Sequence, residues 1–285
     1  MERRIFGRSN ESVSVIGVGT YYDTIDTSGE KKVSEVASKE EKIEGIKRAV
    51  ELGINLIDTA ESYTTEPLVR EAVKDFKRDD LFIATKVWPN HLRYDDVIKA
   101  ARRSLERLSC RYIDLYQIHW PNPKVPIKET MRAMEKLVSD GIIRYIGVSN
   151  FSLEELKEAR EALTKSEIIS NQLEYSLQER SIEKDMLPYT QAENIAILAY
   201  RPVGHGKLAN PSGKLGSCIE KMAEKYGKTN AQIAINWLLN KSNLVFPIPR
   251  VSRAKRAEEN AGAVGWYLSY DDMRFLDKCS KEGFI

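Results

Sequence analysis

No stretch of this chain approaches the roughly 20 consecutive apolar residues that span a bilayer. Its N-terminus, MERRIFGRSNES, carries charge where a secretory leader needs an apolar core. These absences predict a soluble, cytoplasmic protein without a membrane partner. An excess of one charge is also missing: 44 Lys plus Arg against 42 Asp plus Glu leave a net +2. That balance supplies no global attraction for nucleic acid, so any anion site must be local. Histidine and cysteine are scarce, at three each. His91, His119 and His205 show neither HxH nor HExxH spacing, which leaves a metal centre without a ligand set. Cys110, Cys218 and Cys279 are odd in number, far apart and without a CxxC pair, so they are expected to be structural thiols.

A Pro/Gly/Ser-rich linker is absent too, and 285 residues fall within the range of about 200–400 in which α/β barrels form one unit. Short, often β-branched runs recur: VSVIGVGT, INLIDTA, LFIATKV, YIDLYQIHW, IRYIGVSN, IISNQLEY, IAILAY and LVFPIPR. Helical patterns fill the gaps, among them EEKIEGIKRAVELG, EPLVREAVKDF, YDDVIKAARRSLERL, IKETMRAMEKLVSDG and SLEELKEAREAL. Pro67 sits near a helix start, Gly53 and Gly141 follow helix ends, and Ser152 opens a capping box. The alternation predicts an α/β fold, a (β/α)8 barrel over residues 1–285 as a single domain. The Rossmann alternative lacks its third glycine after Gly17-Val18-Gly19.

Three features depart from a plain repeat. RRIF and SVSVI flank a turn-like GRSNE and predict an N-terminal hairpin that plugs the far face. A charged insertion, Asp23–Lys39, follows the first strand and is expected at the barrel mouth as a lid or an oligomer contact. Extra helices are predicted near the C-terminus, with SCIEKMAEKYG and NAQIAINWLLN before the last strand and Ala254–Gly262 and Tyr270–Lys281 after it.

Polar residues at the C-terminal ends of barrel strands form the chemical candidates: Asp58, Lys86, His119, Ser149, Asn150, Gln172, Tyr200 and Arg250. Each has a bland reading as a helix cap, a solvated strand end or a satisfied core group. Their joint position on one rim favours chemistry. Tyr63, just beyond the second strand, would be a poor acid at neutral pH with a phenol pKa of about 10. A neighbouring Lys86 ammonium would favour the phenolate, and Asp58 would hold that ammonium charged and oriented. His119 would hydrogen-bond a substrate carbonyl as negative charge develops on its oxygen.

LIDTAESY, ATKV, DLYQIHWP, IRYIGVSNF, NQLEYS and the late IPR with AEEN make the chain similar to the aldo-keto reductase family along nearly its whole length. The resemblance implies NADP(H) and reversible hydride transfer between nicotinamide and a carbonyl carbon. It makes Tyr63 the proton donor, tuned by Lys86 and Asp58, with His119 orienting the carbonyl. It gives the nicotinamide carboxamide to Ser149, Asn150 and Gln172, and the stacking aromatic to Tyr200.

Arg250, Arg253, Lys255 and Arg256 crowd near a predicted helix start, where cations oppose the helix dipole and an anion is a sensible partner. The resemblance places an adenosine 2′-phosphate on Arg250 and Arg256 and the adenine near Glu259 and Asn260, which favours NADPH over NADH. Tyr21 and Tyr22 stand where many relatives have tryptophan, and Arg201 where a small residue is common. Trp88 and Trp120, with Tyr21 or Tyr22, would line an apolar mouth suited to small aldehydes and ketones, aromatic or medium-sized aliphatic. A monomer or small homo-oligomer is expected. Two rivals remain: a Schiff-base aldolase with Lys86 as nucleophile, and an NADPH-binding regulatory or scaffold protein, similar to potassium-channel β subunits, with little turnover.

Overall fold

A computed structural model describes residues 1–22 and 37–282. The insertion expected at the mouth lies outside these residues, apart from its last three, of which Lys39 opens the first helix. Strands β1 (Arg3–Ile5) and β2 (Ser12–Ser14) form the expected antiparallel hairpin, Arg3 opposite Ser14. Phe6, at the start of the turn, has its ring centroid 5.1 Å from that of Phe82 and 4.9 Å from that of Phe246. Both partners stand at the N-terminal ends of barrel strands, so the hairpin plugs the barrel at the far end from the candidate residues.

Eight parallel strands follow in sequence order: β3 (Gly17–Gly19), β4 (Leu56–Asp58), β5 (Phe82–Val87), β6 (Ile113–Ile118), β7 (Ile143–Ser149), β8 (Ile168–Glu174), β9 (Ala196–Tyr200) and β10 (Val245–Pro247). A parallel bridge between Gly19 and Arg250 closes the ring; Gly19 N–H donates to Pro249 O at 2.9 Å and Val251 N–H to Gly19 O at 3.1 Å. The Gly-Val-Gly run belongs to this seam. A Cβ on Gly19 would stand 2.7 Å from the Ile248 carbonyl oxygen, and one on Gly17 2.8 Å from the Leu56 side chain. Side chains would push β3 away from its neighbours.

Helices surround the barrel: α1 (Lys39–Glu51), α2 (Glu66–Val73), α3 (Tyr94–Leu108), α4 (Ile127–Ser139), α5 (Leu153–Glu161), α6 (Met186–Ala192), α7 (Gly213–Tyr226), α8 (Asn230–Leu239), α9 (Ala254–Ala261) and α10 (Tyr270–Glu282). Their boundary chemistry is as expected. Pro67 lies in the first turn of α2, Ser152 and Glu155 form a capping box, and Gly53 and Gly141 adopt φ of +89° and +71° after their helices. Two more boxes, Ser38 with Glu41 and Thr229 with Gln232, start α1 and α8. Among the described residues no helix is long and apolar enough to cross a membrane.

Strand alternation divides the buried residues into two cores. Ile57, Ile83, Tyr116 and Val148 pack outward with helix residues such as Ile46, Val69 and Met131. Leu56, Phe82, Ala84, Leu115, Ile169, Leu198 and Phe246 fill the lower interior. The same alternation carries Asp58, Lys86 and Gln117 into the interior one layer higher, where apolar filling gives way to polar groups.

One expectation is corrected. Cys218 on α7 and Cys279 on α10 form a disulfide with their Cα atoms 6.5 Å apart, and Cys110 alone is a free thiol. The pair is separated by 61 residues in sequence. Helix packing, which spacing does not report, brings them within bridging distance.

Candidate active site

Asp58 ends β4, and the chain then winds into a short 3-10 turn, Glu61–Tyr63, that delivers Tyr63 over the barrel. Thr64 reverses the path in the left-handed region at φ 58° before α2 begins. Lys86 lies near the end of β5, and His119 directly follows β6. The Lys86 ammonium is fully buried and donates to Asp58 Oδ2 at 2.7 Å, Thr59 O at 2.9 Å and the Tyr63 hydroxyl at 3.5 Å. The Tyr63 oxygen lies 3.3 Å from His119 Nε2. Asp58 Oδ1 accepts from Gln172 Nε2 at 2.7 Å and from Gln117 Nε2 at 3.4 Å. A buried ion pair is tolerable only when its remaining lone pairs and protons find partners, and here they do.

Burial alone would pull Lys86 toward the neutral amine, but the Asp58 carboxylate, with Tyr63, holds its pKa above the ordinary value. Burial pushes His119 down to about 3, with Lys86 adding to the effect, so its imidazole is neutral at physiological pH. Tyr63 departs from expectation. Lys86 does favour the phenolate, but burial is the larger influence and Asp58 adds to it, so the phenol lies above its usual pKa. Tyr63 therefore keeps its proton at neutral pH, next to a cation that would stabilise the phenolate once that proton leaves.

On the other side of Asp58 the ends of β7, β8 and β9 form a polar wall. Ser149 Oγ donates to Gln172 O at 3.0 Å. Asn150, left-handed at φ 60°, donates from Nδ2 to His119 O and to Ser149 Oγ, both at 3.0 Å. The Tyr200 hydroxyl donates to Asn150 Oδ1 at 2.9 Å, and burial raises its pKa to about 12. Arg201, in the left-handed region at φ 51°, pairs with Glu174 at 2.9 Å.

Further round the rim, the first turn of α9 has no side-chain cap, yet Arg253, Lys255 and Arg256 crowd it and Arg250 stands just before it. Uncapped N–H groups and clustered cations suit an anion. Arg253 Nε donates to Glu41 Oε1 at 2.8 Å, and Arg256 pairs with Glu259. Asn260 is buried and donates to Arg250 O at 3.3 Å, tying the strand-end loop to the helix.

The aromatic residues divide. The Tyr21 ring packs 4.9 Å from that of Tyr63, and the Trp88 ring meets His119 edge-on at 5.3 Å. With Trp120, these side chains are exposed at the strand-end face and not packed in the core. Tyr22 turns the opposite way. Its hydroxyl donates to Val251 O at 2.8 Å beside Arg250, so it belongs to the α9 side and not to the aromatic mouth.

A model of the aldo/keto reductase family matches residues 16–281. The chain belongs to this family. It is 36% identical to a glyoxal reductase of Bacillus subtilis over 254 residues, 88% of this chain and 87% of that protein. It is 33% identical to a methylglyoxal reductase of Escherichia coli over 271 residues, 94% of this chain and 91% of that one. A crystal structure of a thermostable aldo-keto reductase with the inhibitor epalrestat matches at TM-score 0.87 and 39% identity, covering 98% of this chain and 100% of that one. An aldo/keto reductase from Klebsiella pneumoniae in complex with NADP and acetate matches at TM-score 0.83 and 30% identity, covering 98% and 95%. Like other aldo-keto reductases, the chain is an oxidoreductase acting on carbonyl groups.

Within this aldo-keto reductase three contributors escape the sequence reading. Gln117 reaches Asp58 because it stands opposite Lys86 in the β5–β6 register; a glutamine inside an apolar strand was the available signal. Glu61, nearly buried, accepts from Trp88 N at 2.6 Å and lies 2.8 Å from His91 Nδ1, joining the Tyr63 turn to the loop after β5. Ser62 Oγ lies 3.4 Å from His119 Nδ1.

Proposed function

We propose that this chain is an NADPH-dependent carbonyl reductase that converts aldehydes and ketones reversibly to alcohols. The observation that carries the reading is the Tyr63 hydroxyl, set between Lys86 Nζ at 3.5 Å and His119 Nε2 at 3.3 Å. When bound, NADPH supplies hydride to the carbonyl carbon. Tyr63 gives its proton to the carbonyl oxygen, and Lys86 stabilises the phenolate left behind. Asp58 keeps Lys86 charged and aimed, while neutral His119 donates a hydrogen bond to the oxygen as charge grows on it. Ser149, Asn150 and Gln172 orient the nicotinamide carboxamide, Tyr200 stacks on its ring, and Glu259 and Asn260 flank the adenine. Orientation of this kind removes much of a transfer barrier.

The 2′-phosphate falls to Arg250 and Arg256, which favours NADPH over NADH. Relatives named for glyoxal and methylglyoxal make 2-oxoaldehydes the first substrates to try. Aromatic aldehydes come second, given the exposed Tyr21, Trp88 and Trp120. The work is expected to take place in the cytoplasm.

The test is NADPH oxidation with methylglyoxal and an aromatic aldehyde, comparing the natural protein with Tyr63→Phe after both are shown to bind NADPH. General acid catalysis contributes about 10²–10⁴-fold, so the variant should lose turnover on that scale. A natural protein that binds NADPH but reduces nothing across a broad carbonyl panel overturns the reading in favour of a regulatory protein.

A further inference from the structure

Three consecutive residues at the end of β5 each hold a different part of the candidate catalytic group. The Lys86 ammonium meets the Tyr63 hydroxyl at 3.5 Å, and Val87 O accepts the His119 backbone N–H at 3.1 Å. Trp88 gives its own backbone N–H to Glu61 Oε1 at 2.6 Å. The same oxygen lies 2.8 Å from His91 Nδ1, and His91 is folded back on the strand end by its N–H to Trp88 O at 2.9 Å. Chemistry fixes the direction of both bonds to Glu61. A backbone N–H only donates and a carboxylate oxygen only accepts, so His91 carries its hydrogen on Nδ1. The Glu61 side chain is only 7% exposed, so these two hydrogens stand in for the water that a surface carboxylate would hold.

We propose that Glu61 is a positioning residue for carbonyl reduction: by gripping Trp88 N–H and His91 Nδ1–H it locks the Tyr63 turn to the end of β5 and so sets the Tyr63 hydroxyl against Lys86 and His119. The inference rests on the carbonyl reductase reading and deepens it. Glu61 stands two residues ahead of Tyr63 in the turn Glu61–Tyr63. The chain is tied to the barrel before this turn, where Thr59 N–H donates to Ala84 O at 2.9 Å. It is tied again after it, where the Thr65 hydroxyl meets those of Thr20 and Thr59 at 3.0 and 2.9 Å. Within the turn, Glu61 makes the link to β5. Its effect is on orientation, where a displacement of about 1 Å costs about a hundredfold in rate.

Two substitutions separate the grip from the charge. Glu61→Ala removes both bonds, whereas Glu61→Gln keeps a carbonyl oxygen where Oε1 stands, able to take both hydrogens without a charge. Glu61→Ala should lower turnover at saturating carbonyl about ten- to hundredfold. Its NADPH affinity by fluorescence titration should stay natural, because the polar wall of Ser149, Asn150 and Gln172 lies on the other side of Asp58. Glu61→Gln should recover most of the turnover. Isotope-labelled tryptophan reports on four backbone amides, and that of Trp88 should exchange with solvent about tenfold faster in Glu61→Ala than in the natural protein or Glu61→Gln, the scale of one charge-assisted hydrogen bond. Natural turnover in Glu61→Ala, a Glu61→Gln protein as slow as Glu61→Ala, or equal Trp88 exchange in all three overturns the inference and leaves the reductase reading standing. A natural protein that reduces no carbonyl overturns the reductase reading; Trp88 exchange that quickens only in Glu61→Ala still upholds the lock on the turn.

Discussion

Gln172 on β8 donates its side-chain amide to Asp58 Oδ1 on β4 at 2.7 Å, across the barrel interior. Lys86 takes the other carboxylate oxygen at the same distance of 2.7 Å. Both oxygens are thus occupied, and the carboxylate links the polar wall at Ser149, Asn150 and Gln172 to the Lys86, Tyr63 and His119 cluster.

Removal of Lys86 should therefore cost stability as well as activity. Lys86→Met leaves Asp58 charged, buried and short of its cation, a change that typically costs about 3–5 kcal/mol. Adding Asp58→Asn should recover much of that loss while turnover stays absent. Urea unfolding of both variants checks it, and a double variant no more stable than Lys86→Met would contradict the pairing.

Stability should also fall with acid through His119. Its folded pKa drops from the ordinary 6.5 to about 3, so below about pH 6.5 the unfolded chain takes a proton that the folded one refuses. The loss grows by about 1.4 kcal/mol per pH unit until about pH 3, and no such loss exists above the unfolded pKa. His119→Gln removes this contribution. Between about pH 7.5 and about pH 5.5 the variant should lose about 1.4 kcal/mol less than the natural protein in unfolding measurements; equal losses would show that His119 is not held neutral.

Choice of nucleotide should depend on Arg250. Arg250→Ala should weaken NADPH by about 1.5–3 kcal/mol, the scale of a charge-assisted hydrogen bond, and leave NADH nearly unchanged. Fluorescence titration with both nucleotides measures the two affinities. Equal weakening of both would move the phosphate away from this helix start.

The barrel was legible because its signal is local. Runs such as LFIATKV and the helical patterns between them obey fixed periods, and caps at Ser152 and Gly141 mark the ends. Asp58, Lys86 and His119 were legible for a related reason: a polar side chain ending an apolar strand has few structural duties. Other features depend on which strangers meet in space. Gln117 finds Asp58 only through strand register, and Cys218 finds Cys279 only through helix packing. The upward shift of Tyr63 reflects desolvation by groups from several loops, Tyr21 among its neighbours. The lysine beside it could be read in advance, but the depth of burial could not.

The disulfide between α7 and α10 closes a covalent ring, and α8, β10 and α9 all lie inside it. The strand that seals the barrel against Gly19 is therefore enclosed on both sides by a bond that unfolding does not break. A protease that nicks the chain between Cys218 and Cys279 yields a cut molecule that still migrates as one piece until a thiol reductant is added. A nick before Cys218 separates two fragments as soon as the fold is lost.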